Sequence, residues 1–141
     1  MGKFLVGLVA VGWFCPGAGA DPGPKPHADL RIREMVSFES KGFLLRALKG
    51  YQEIDPFIVV EKVSLGLTEG DEPALLASWR VRDMKGGAVL AESSEGDDFT
   101  NMRWNGGLLE FTFSKHASKL TCTVSNLMIG EPAVACLPAR P

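Results

Sequence analysis

The chain has 141 residues and a formal net charge of −2, with 15 basic residues against 17 acidic ones. No basic block or basic-aromatic stripe occurs in it, which argues against nucleic acid as a partner, because phosphate recognition needs clustered Lys and Arg. Two histidines and three cysteines leave little for a metal centre of four protein ligands, or three plus water.

Lys3 is followed by eleven uncharged residues, 4–14 (FLVGLVAVGWF). That is the length of a signal h-region and short of the roughly 20 residues that span a bilayer, so an export signal is expected and a permanent membrane anchor is not. Ala18-x-Ala20 is the small-residue pattern of signal peptidase sites, which predicts a cleavable signal over residues 1–20. Phe14 precedes Cys15 where a bacterial lipoprotein signal carries a small residue, so lipidation is not expected. Cleavage after Ala20 removes Cys15, and it removes Lys3, which makes the mature chain one charge more negative.

The mature chain then keeps Cys122 and Cys136, fourteen positions apart. In an oxidising compartment they are expected to form a disulfide worth about 3 kcal/mol on the loop-entropy model, with two separate buried thiols as the alternative. No Asn-x-Ser/Thr sequon is present, which tilts the expected destination from a eukaryotic secretory route towards a bacterial periplasm. Periplasmic or extracellular is the expected localisation.

Residues 21–29 carry prolines at 22, 24 and 26 and are expected to be an extended leader. From residue 30 to 141, apolar residues recur mostly at every second position, with turn residues every eight to twelve. That pattern predicts one mainly β domain, an antiparallel β-sandwich or barrel of about 7–8 strands. About 120 residues bury roughly two-thirds of their unfolded surface, enough for one core.

Leu30, Ile32, Val36 and Phe38 mark a first strand that ends at the turn Glu39–Gly42. Residues 43–48 (FLLRAL) read as a strand, with a short helix near 41–50 as the alternative because Leu44, Leu48 and Tyr51 would share a helical face. From Phe57, Val59, Val63, Leu65 and Leu67 are expected on one face, with Lys62 and Ser64 on the other and Glu61 interrupting the apolar row. A turn over 68–73 leads to a strand from about Leu75 to Asp83 with Trp79 inward. Lys85-Gly86-Gly87 turns the chain into an extended segment, 88–92, and 93–98 follows as a polar, acidic loop.

The strongest local signal lies in Phe99–Ser114, where Trp104-Asn105-Gly106-Gly107 predicts a two-residue hairpin turn. With Gly106-Gly107 at its centre, Trp104 faces Leu109, Met102 faces Phe111, Thr100 faces Phe113 and Arg103 meets Glu110. That register is preferred to one centred on Asn105-Gly106 because it gains an opposite-charge cross-strand pair and one more aromatic contact. A last strand holds Cys122, Val124 and Leu127, before a Pro-punctuated tail.

No Gly-x-Ser-x-Gly elbow occurs, and no Asp-x-Asp-x-Asp-Gly calcium loop. The candidate binding residues are Glu92, Glu95, Asp97 and Asp98 in the acidic loop, for a basic partner, and Arg80 with Arg82 as an anion-binding strip. Each set has a plain alternative as a solvated turn or strand face, and Trp79 and Trp104 read as core anchors.

A small β-barrel with a disulfide near its end resembles periplasmic lysozyme inhibitors in architecture. Their Ser-Gly-x-x-Tyr loop is missing, the single tyrosine, Tyr51, lies elsewhere, and no residue is carried over from them. The expected function is an exported binding module or inhibitor that contacts another protein or envelope macromolecule, without a cofactor and without a metal site. Two other classes compete with it: a small hydrolase with a loop-built site using His116, and a structural or assembly subunit of the envelope.

Overall fold

The computed structural model describes residues 32–50, 57–66, 68–91 and 96–140. The expected signal, the leader, Glu92 and Glu95 lie outside the described residues. Strands form where apolar residues alternate between turns. β1 (Ile32–Ser40), β2 (Phe43–Gly50), β3 (Ile58–Ser64) and β4 (Ala74–Arg80) make one antiparallel sheet in that order. β5 (Asp98–Asn105), β6 (Leu108–Lys115), β7 (Ser118–Ser125) and β8 (Ala133–Pro138) make the second. The architecture is a small β-sandwich and not a closed barrel.

Between the sheets lies one core. Leu45, Ala47, Ile58 and Val60 come from the first sheet, and Phe99, Leu109, Phe111, Phe113 and Val124 from the second. Phe99 stacks on Phe113 with ring centroids 4.9 Å apart and meets Phe111 edge-on at 5.5 Å. Fully burying such a side chain is worth about 1.5–3 kcal/mol.

Residues 43–50 are a strand, so the helical alternative falls. Gly42, at φ 83°, sits in the tight turn that sets Ser40 opposite Phe43. β3 turns over relative to the expected face. Ile58 and Val60 enter the core, and Lys62, on the same side, reaches the Met128 carbonyl at 3.1 Å and lies 4.4 Å from the Phe43 ring centroid. Val59 and Glu61 point the opposite way and are buried as well. A strand buried on both faces has no polar side to reveal its phase, which is why alternation misread it.

β4 stops at Arg80 instead of running to Asp83; Val81–Asp83 form a 3-10 turn. Residues 88–91, expected to be extended, form a single helical turn, α1 (Ala88–Ala91), which buries Leu90 in the core. In the central hairpin Gly106 and Gly107 both have positive φ, and Trp104 faces Leu109 while Arg103 faces Glu110. Beyond that the expected register slips. Asn101, at φ 55°, opens a bulge, so that Thr100 faces Thr112 and Phe99 faces Phe113. The extra residue lets Phe99 and Met102 both point inward.

Candidate functional site: a groove at the seam of the sheets

β4 is one of the two edge strands of the first sheet. It carries one unpaired residue, Leu76, between the Ala77–Lys62 and Leu75–Val63 pairs. Past that bulge the pleat is regular. Trp79 packs against the core, and Ser78 and Arg80 take the outer face. The Arg80 guanidinium lies 5.0 Å from the centroid of the buried Phe57 ring, a cation–π contact that holds its position.

The 3-10 turn then carries the chain across to the second sheet. Met84 is buried, and the Val134 N–H donates to the Lys85 carbonyl at 2.8 Å, forming a parallel bridge beside β8. Gly86, at φ 81°, makes this approach possible: a Cβ there would stand 2.2 Å from the Val134 oxygen. The result is a groove of about 400 Å³. Ser78, Trp79 and Arg80 form one wall and Asp83, Met84 and Lys85 another, with Glu131 and Pro132 alongside.

The buried Ser78 hydroxyl in this lining has no hydrogen-bond partner. Among the described residues, no ion pair engages Arg80, Asp83, Lys85 or Glu131. The groove therefore offers an indole and charges of both signs that no salt bridge in the described fold consumes.

No family model, curated protein or solved structure matches this chain. The site must be read from its own chemistry.

Of the expected binding residues, Arg80 lines the groove, whereas Arg82 lies in the 3-10 turn and does not share a strand face with it. Asp97 is buried. Asp98 accepts the Phe99 N–H at 2.9 Å and pairs with Lys49 Nζ at 2.6 Å. Lys49, also buried, donates to the Phe99 carbonyl, so this pair joins β2 of one sheet to β5 of the other. Asp98 is thus held by the framework. Cys122 and Cys136 stand directly opposite each other on β7 and β8 and form the disulfide.

His116, on which the hydrolase alternative rests, sits exposed at φ 51° in the β6–β7 turn. Among the described residues, no group of three His, Cys, Asp or Glu is placed to hold a metal ion, and no helix is long and apolar enough to cross a membrane.

A second groove, of about 390 Å³, lies over the β5 bulge and is lined by Asn101, Arg103, Glu110, Thr112 and Thr121 among others. Its charges are already matched. Arg103 pairs with Glu110 at 2.8 Å and Asn105 donates to it at 3.0 Å. These two hydrogen bonds, Asn105 first and Arg103 second, hold the Glu110 carboxyl below its ordinary value of 4.5.

Sequence reasoning missed Ser78, Asp83, Lys85 and Glu131. Only Lys85-Gly86-Gly87 gave a local signal, as a turn. Its contact with residues nearly fifty positions away is a tertiary fact.

Proposed function

We propose that this chain is an exported binding module that holds another envelope or extracellular macromolecule in the seam groove, and that it acts by occupying that partner. The observation that carries the reading is a groove that sets the Trp79 indole among charged side chains which no described ion pair engages, with one unpartnered buried hydroxyl, that of Ser78, in its lining. A buried hydroxyl without a partner costs about 1–3 kcal/mol, so the fold leaves this lining incompletely satisfied. The Cys122–Cys136 disulfide favours an oxidising compartment.

The test is affinity capture from periplasm with the mature protein as bait, run beside an Arg80→Glu/Lys85→Glu double variant and a Glu92→Lys/Glu95→Lys control. A captured species retained by the control and lost with the groove variant is the expected result. Capture that is equal for all three baits, or absent for all, overturns the reading. Export is tested separately by mass: a mature chain beginning at Asp21, two hydrogens light, with no free thiol.

A further inference from the structure

A four-stranded sandwich sheet has two edges, and an edge strand presents free N–H and C=O groups on which another strand can pair. Three of the four edges here are guarded. β1 carries a bulge at Arg33 and packs along β5. β5 carries the Asn101 bulge. On β8 the Val134 N–H is already used by Lys85, and the strand ends at Pro138. β4 is guarded only over its first half, by Pro73 before it and the Leu76 bulge within it. Its second half, Ala77–Arg80, is regular, has no described strand beyond it, and opens into the seam groove.

Resting on the groove as the binding site, we propose that its ligand is an extended peptide that adds to β4 as a fifth strand of the first sheet. The pleat dictates what such a peptide carries. A strand added about 4.8 Å from β4 has successive side chains on opposite faces. The residue opposite Trp79 points between the sheets, towards Met84 and Pro132, and is bulky and apolar. Its neighbour opposite Arg80 points outward, where a carboxylate meets the guanidinium that Phe57 holds in place. Opposite charges on facing strands are favourable and like charges unfavourable. The recognised element is therefore an Asp or Glu next to a large apolar residue in an extended segment, with main-chain hydrogen bonds supplying affinity and these two positions specificity.

The experiment uses the mature protein and an array of eight-residue alternating peptides, each with an acidic residue beside a bulky apolar residue at its centre, with scrambled peptides as controls. The best binder is then remade with every second amide N-methylated, in each of the two frames. Strand addition predicts that one frame loses at least tenfold in affinity and the other does not, because only alternate N–H groups face β4. It also predicts slower amide exchange within Ser78–Arg80 on binding, and at least tenfold weaker binding by Arg80→Glu with Arg80→Lys close to the parent. The melting midpoints of both variants show whether the fold survives.

No array peptide bound above the scrambled controls, or a binder indifferent to both methylation frames, overturns the proposal. If capture still depends on Arg80 and Lys85 while the array fails, the groove stands and strand addition falls. If both fail, both readings fall.

Discussion

The two sheets are built by different means. In the second, β5 to β8, tight turns join β5 to β6 and β6 to β7, residues 126–132 connect β7 to β8, and a disulfide locks that last pair. One face of β6 is buried at Leu109, Phe111 and Phe113, while the other carries Glu110 and Thr112. In the first, β2 and β3 are covered on both faces, and two charged groups, Lys49 and Glu61, are buried within them. The second sheet is held by local pairing and a covalent bond. The first adds cover on both faces and buried charges to its own strand pairing, and it carries the edge that borders the groove.

The largest expected effect strikes the covalent side of that contrast. Replacing Cys122 and Cys136 together by Ala removes a cross-link that closes a loop of about 15 residues, worth about 3 kcal/mol. Urea unfolding of the double variant against the oxidised parent measures it. A loss below about 1 kcal/mol would mean that the β7–β8 ladder holds without its bond.

Gly86→Ala comes next, and it acts on the joint between the two sheets. A non-glycine residue at positive φ costs about 1–3 kcal/mol, and its Cβ would also force the Val134 oxygen away. The expected loss is about 2 kcal/mol, accompanied by faster amide exchange at Val134. A variant with unchanged exchange there would place the joint elsewhere.

Arg46 tests the charged side. It meets Glu61 at 2.5 Å, with the Glu61 side chain 1% exposed and that of Arg46 36% exposed. Removing one partner of a wholly buried pair costs about 3–5 kcal/mol, because the other charge is left uncompensated. Partial exposure of Arg46 reduces this, so Arg46→Ala is expected to cost about 2 kcal/mol. Glu61→Leu is expected to be close to neutral, since the freed Arg46 can reach water. Equal losses in the two variants would show that packing, not charge, sets the value of this site.

Legibility in the sequence divides along the same line. The sandwich class, the disulfide and the turn at Gly106-Gly107 were all readable, because turn chemistry and period-two alternation are local. The Asn101 bulge was not, since the choice between two registers is made by whether Phe99 can reach the core. Alternation puts the wrong face of β3 inward, because Ile58, Val59, Val60 and Glu61 are all buried and only β2 and β4 decide which way each points. Of the groove, Arg80 was visible as a candidate. The unpartnered Ser78 hydroxyl and the approach of Lys85 to Ala133 exist only once the sheets are packed.

The smallest expected effect lies on the outer face of the second sheet, and its sign follows from Glu110. Hydrogen bonds from Asn105 and Arg103 lower its pKa in the folded state, so the folded protein binds that proton less readily than the unfolded chain does. The stabilisation is present in full above the unfolded value, near the ordinary 4.5, and is lost as pH falls through the folded value. Glu110→Gln removes this dependence. Parent and variant should therefore differ in melting midpoint at pH 7 and converge as pH falls from the ordinary 4.5 through the lower folded value, with high salt shrinking the pH 7 difference because Arg103 is 74% exposed. A constant gap across that pH range would assign the effect of Glu110 to its packing against the hairpin, leaving the Arg103–Glu110 contact as a marker of register that adds no stability of its own.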